Sequence, residues 1–131
     1  MVKIHKSIIE MFIQLKNSSK SYKKYSVITK TKQNIKLLKC LYVEGYILGY
    51  FFSKTSSTKI NVILKYQNNE PLIKTIRFIS KPNNIKYCSI KLLVQQKNIN
   101  SLIILNTTKG YMSSSEAKLN HVGGMIICQI Y

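Results

Sequence analysis

The chain has 131 residues, 45% of them hydrophobic, and carries 21 Lys+Arg against 4 Asp+Glu, a formal net charge of +17. That length buries one compact core or two small lobes, and no apolar run nears a membrane span, "YILGYFF" being about a third of what a bilayer requires. The positive excess runs from Lys3 to Lys118 and points to an anionic partner, nucleic acid first; with no aspartate, and Glu10, Glu44, Glu70 and Glu116 in separate elements, paired-carboxylate chemistry and a carboxylate-held magnesium lack material.

Ile4, Ile8, Met11, Phe12 and Leu15 recur at helical spacing and predict a first helix with one buried stripe, stopping near Asn17. The opening "MVKIHKSIIEMFIQLKN" has the charge of a transit peptide, but its apolar phase is that of a packed domain helix. A lysine-bearing loop and a short strand around Tyr25 to Ile28 follow. Thr31 is placed to cap a second helix with Ile35, Leu38 and Leu41 or Tyr42 inside and Gly45 as its stop. From Tyr46 the period changes to two: "YILGYFFSK", a "TSST" turn and "KINVILKY" predict a hairpin in which Ile60, Val62, Leu64 and Tyr66 share a face. "QNNEP" breaks the composition, so the lobes are expected at 1–68 and 69–131.

In the second lobe "LIKTIRFI" and "IKYCSI" read as strands joined by "SKPNN", where Pro82 sets a turn and Asn83 and Asn84 tolerate unusual dihedrals. "QQKNIN" has the polarity of a short helical turn, "SLIIL" is a buried strand and "NTTKG" a loop. Ser113-x-x-Glu116 is a capping box that starts a brief helix, and "MIICQIY" is the last strand. The expected class is α+β: an N-terminal α/β lobe of two helices on a small sheet, and a C-terminal β-rich lobe with a short helix.

Cys40, Cys88 and Cys128 are odd in number, far apart and set among apolar residues, which favours buried hydrophobes over a disulfide framework or a zinc site. His5 and His121 lie at opposite ends, and "TTKG" lacks the first glycine and the G-K-[ST] order of a phosphate loop. No enzyme, cofactor, metal, membrane or small-molecule substrate is therefore expected. Arg77 is the only arginine, so bidentate readout of base edges gives way to shape, backbone and hydroxyl contacts. "NTTKG" has two readings, a plain strand-to-helix turn or a binding loop whose hydroxyls, lysine and glycine suit RNA; Gly123-Gly124 is either a helix stop or a point of close approach.

"NTTKGYMSSSEAKLNHVGGMIICQIY" resembles the C-terminal end of the small-subunit ribosomal protein eight family, which shows Ser-Thr-Ser-Lys-Gly, Met-Thr-Asp-x-Glu-Ala, Val-Gly-Gly-Glu and a closing strand ending on an aromatic residue. Upstream, "RFISKPNNIKY", "LKN" and "EGYI" are similar to further motifs of the family, so the resemblance covers essentially the whole chain. It implies a structural constituent of the small ribosomal subunit and a primary binder of a central-domain helix of its rRNA, with neighbouring small-subunit proteins as further partners. By motif it implies that Asn106, Thr107, Thr108, Lys109 and Gly110 meet the RNA, with Lys81, Pro82, Lys86 and Tyr87 nearby and Gly123 and Gly124 letting backbone approach. Four departures stand out: Asn106 replaces a serine, Met125 a glutamate that in the family braces the site, Tyr131 a tryptophan, and Lys6 an aspartate of the first helix region. With the A+T-type composition, they suit an organelle-encoded copy, mitochondrial before plastid. The alternative class is a basic module for DNA or an acidic protein.

Overall fold

The structure, a computed structural model, describes residues 6–81, 83–91 and 101–131, so Ile4 of the expected first-helix stripe, Pro82 and the turn expected in "QQKNIN" lie outside it. Two compact units divide the chain, one ending at Ile76 and the other running from Arg77 to Tyr131.

In the first unit, α1 (Lys6–Lys20) buries Ile8, Met11, Phe12 and Leu15, the stripe its spacing requires. It does not stop at Asn17. Ser18 and Ser19 are buried, and the Ser18 hydroxyl donates to Ser26 Oγ at 3.0 Å, so a tertiary hydrogen bond carries the helix through poor helix formers. It ends at Tyr22, in the left-handed region at φ +54°, where the N–H groups of Tyr22 and Lys23 return to the carbonyls of Ser19 and Ser18. A tyrosine in that conformation costs about 1–2 kcal/mol. Its ring stacks on Tyr66 at 5.8 Å, and the Tyr66 hydroxyl donates to the Lys23 carbonyl, so contacts from distant sequence hold the stop in place.

β1 (Tyr25–Thr29) leads to α2 (Lys32–Val43), which Thr31 caps by accepting from the Asn34 N–H at 3.1 Å. Its buried residues are Asn34, Leu37, Leu38, Cys40 and Leu41; of the expected inner face Leu38 and Leu41 are buried, Ile35 is only half-buried, and Tyr42, the alternative to Leu41, is exposed. Gly45 (φ +80°) is the stop, its N–H and that of Tyr46 bonding the carbonyls of Tyr42 and Leu41. β2 (Ile47–Phe52) and β3 (Lys59–Leu64) form the expected hairpin, and β1 joins to give the antiparallel order β1-β3-β2. Ile60, Val62 and Leu64 are buried, while α1 packs on β1 and α2 on β2. β3 ends before Tyr66, which instead opens a small hairpin of β4 (Tyr66–Gln67) and β5 (Glu70–Pro71); Asn68 and Asn69, both at positive φ, make its two-residue turn.

In the second unit the long strands are β8 (Leu102–Thr107) and β10 (Gly124–Ile130), antiparallel with a bulge between Ile126 and Cys128. β6 (Ile76–Phe78) and β7 (Tyr87–Cys88) both pair with β10, and β9 (Gly110–Ser113) pairs with β8 on the other side. β6 and β7 are shorter than "LIKTIRFI" and "IKYCSI" imply; between them the N–H groups of Ile79 and Ser80 both go to the Ile127 carbonyl, and the Ser80 hydroxyl holds Lys86. β9 is not legible in the sequence, because four residues carry no clear alternation and its partner lies across the turn. Ser113 then caps α3 (Ser114–Leu119), accepting from the Glu116 N–H at 3.2 Å, as the capping box predicts. The helix presents Ala117 to a core of Cys88, Ile103, Leu105 and Met112. Cys40, Cys88 and Cys128 are all buried, and the class is α+β as expected.

Candidate nucleic-acid interface

"NTTKG" is a turn between two strands, not between a strand and a helix. Thr107 pairs with Gly110, leaving Thr108-Lys109 as a two-residue connection whose positive φ falls on Gly110 at +111°. The Thr107 hydroxyl, largely buried, donates to the Gly110 carbonyl at 2.9 Å and accepts from the Lys109 N–H at 3.2 Å. Thr107 therefore braces the turn from within. Thr108 and Lys109 are exposed at its tip, while Asn106 and Gly110 are half-buried.

Beside this turn runs β10. Its first residue, Gly124, pairs with Thr107 of β8 on one side and Cys88 of β7 on the other. A Cβ there would lie 2.5 Å from the Asn106 carbonyl oxygen and 2.9 Å from Thr107 Cγ2; on Gly123 it would lie 2.5 Å from the Cys88 carbonyl oxygen. The glycine pair is thus needed where strands close on one another. It is not the helix stop: α3 ends on Asn120, with His121 in the left-handed region at φ +53° and the N–H groups of His121 and Val122 bonding the carbonyls of Lys118 and Ala117.

Directly opposed residues of antiparallel strands share a face. Tyr87, Met125, Asn106 and Tyr111 consequently form one cross-strand row over β7, β10, β8 and β9. Tyr87 is exposed, whereas Met125 is fully buried where the family resemblance expects a carboxylate. Tyr87, Asn106, Thr107, Thr108, Gly123, Gly124 and Met125 line one open cleft of about 500 Å³, together with Cys88, Ser89 and Ile90. No acidic side chain lines it. Burial pushes the Cys88 thiol and the Tyr111 phenol up, so both are neutral at physiological pH and formal charge nearby comes from lysine.

Lys81 and Lys86 do not line the cleft. Both are exposed on a segment where the backbones of Lys81 and Asn84 exchange two 3.0 Å hydrogen bonds across a tight turn. Ser80 anchors that segment: its buried hydroxyl accepts from the Lys86 N–H at 2.8 Å and donates to the Lys86 carbonyl at 3.3 Å, and that carbonyl also accepts from Ile126 N–H at 2.9 Å. Tyr87 follows directly and is thereby delivered to the cleft. Sequence reasoning passed over Ser80, since a lone serine carries no periodic signal; its fixed place before Lys81 was the available clue.

What the fold and this edge define is a strongly cationic α+β protein whose cleft is built from backbone and neutral side chains. A family model described as ribosomal protein S8 matches residues 6–131. Relatives named small ribosomal subunit protein uS8 include those of Bartonella bacilliformis and Brucella ovis, each 34% identical over 124 residues, 93% of this chain and 94% of theirs. The Caulobacter sp. protein of that name is 35% identical over the same shares. The chain belongs to the ribosomal protein S8 family, and as such is a structural protein of the small ribosomal subunit and not an enzyme.

Proposed function

We propose that this protein binds a central-domain helix of small-subunit rRNA through its C-terminal unit and so supports subunit assembly and translation, alongside neighbouring ribosomal proteins. The observation that carries this reading is the carboxylate-free cleft next to the Thr108-Lys109 tip, on a chain of net charge +17. Each part has a task. Exposed Lys81, Lys86 and Lys109 neutralise phosphate, the Thr108 hydroxyl and Asn106 amide meet 2′-hydroxyls or base edges, and Tyr87 offers a ring for stacking. Thr107, Gly110, Gly123 and Gly124 contribute by holding the backbone in position. The lysine-dominated charge and A+T-type composition support an organellar ribosome as the setting, mitochondrial in preference to plastid.

Filter binding tests the reading. Affinity for a central-domain rRNA fragment should be nanomolar-class and fall steeply with salt, because phosphate neutralisation releases counterions. An unrelated duplex of the same length should bind far more weakly; equal affinity for both would remove specific recognition from the proposal. Co-migration of the tagged protein with mitochondrial small subunits tests the setting, and its recovery with plastid ribosomes would reverse that choice.

A further inference from the structure

The N-terminal sheet has a second face, which the C-terminal reading leaves unused. Register places Tyr25, Ile63 and Gly49 in one cross-strand row and Val27, Asn61 and Phe51 in the next, with Thr29 and Lys59 beyond. Tyr25, Val27 and Phe51 are 44%, 49% and 45% exposed, whereas the alternating Ser26, Ile28, Ile60 and Val62 are buried. The Tyr25 and Phe51 rings meet edge to face, with centroids 6.0 Å apart and planes at 88°. Gly49 keeps the surface beside them open, since a Cβ there would meet nothing within 4 Å.

The rim is cationic. Lys24 Nζ stands 5.3 Å from the Tyr25 ring centroid, and Lys59 is exposed in the outer row. Glu44, Glu70 and Glu116 belong to the α2 cap, β5 and α3, whereas Glu10 of α1 borders the β1 edge, where it lines a pocket with Val27, Thr29 and Lys59. Exposed rings beside two lysines, against one bordering carboxylate, complement a polyanion that also carries flat apolar groups. A folded duplex hides those groups in its stack; an unpaired strand presents them, and a ring accepts any base.

We propose that this face is a second RNA contact, a platform on which Tyr25 and Phe51 stack bases of an unpaired RNA segment while Lys24 and Lys59 neutralise its phosphates. The contact is independent of the C-terminal cleft. It can be read by fluorescence anisotropy of the full chain with a labelled oligouridine of about 12 nucleotides, within the site sizes of such surfaces. Tyr25→Leu with Phe51→Leu keeps the apolar volume, and thermal unfolding checks the fold; the pair should weaken oligouridine binding by about tenfold or more at unchanged salt slope. Tyr25→Phe with Phe51→Tyr should restore it. Lys24→Gln with Lys59→Gln should instead flatten the slope by about 1.4, ~0.7 per lysine. Unchanged oligouridine affinity in the folded leucine pair overturns the proposal. So does unchanged oligouridine affinity with failed incorporation into small subunits, which would assign the face to a protein. In either case discrimination between the central-domain fragment and an unrelated duplex tests the C-terminal reading separately.

Discussion

The C-terminal cleft and the outer face of the N-terminal sheet both set lysines beside neutral side chains, yet they are built from different material. The cleft is made largely of backbone: strands brought together at Gly123 and Gly124, a turn braced by Thr107, and a segment pinned by Ser80. The sheet face is made of side chains, Tyr25, Val27 and Phe51, that project from strands already held by Ile28, Ile60 and Val62 beneath. Where a surface is backbone, altering it also alters the fold. Where it is side chain, function and stability come apart.

The sharpest challenge to that contrast is Gly124→Ala. Its methyl would press on the Asn106 carbonyl, and overpacking of this kind costs about 1–3 kcal/mol, so urea unfolding should shift and specific RNA binding should fall with it. A variant of full stability that still failed to bind would place the glycine at the RNA and not between strands. Ser80→Ala should cost about 1–3 kcal/mol, because the Lys86 N–H loses its 2.8 Å partner; hydrogen exchange at Lys86 would report the loosened segment. Within the turn, Thr107→Val should cost about 0.5–1.5 kcal/mol of stability, while Thr108→Val should leave the melting curve in place and weaken the central-domain complex by a similar amount. Equal behaviour of the two would dissolve the distinction between the brace and the tip. The smallest effect is expected at His121→Gly, a gain of about 0.5–1 kcal/mol from relief of the left-handed φ, seen as a modest rise in midpoint with no change in RNA affinity.

Helix termini show how far local signals reach. Thr31 and Ser113 cap their helices as the sequence indicates, since the cap bond spans three residues and needs nothing from elsewhere. Gly45 was equally legible as a stop. Tyr22 and His121 were not, although both occupy the same left-handed position in the same hydrogen-bond pattern. At Tyr22 the reason is visible: its ring is stacked by Tyr66, more than forty residues on, as the 43-residue separation of the Tyr66–Lys23 hydrogen bond measures. A stop paid for by a distant contact leaves no mark on the neighbouring sequence.

The same division runs through the candidate site. "NTTKG" could be picked out as hydroxyl, lysine and glycine in an ordered family pattern, but the strand "GYMS" after it could not, because its partner lies across the turn. Thr107 and Thr108 look interchangeable in one dimension and have opposite placements, one buried and one exposed. Met125 was recognisable as a departure; its complete burial between Tyr87 and Asn106 was not.

By itself the amino-acid sequence determined the charge and hence the kind of partner, the order of the helices and of the longer strands, the caps and the family resemblance, because each rests on composition or on bonds spanning a few residues. Tertiary structure alone decided where Tyr22 ends its helix, why Gly123 and Gly124 cannot carry a side chain, and which hydroxyl is spent on the turn. Those outcomes depend on how closely distant strands approach, and that spacing exists only once the core beneath them has closed.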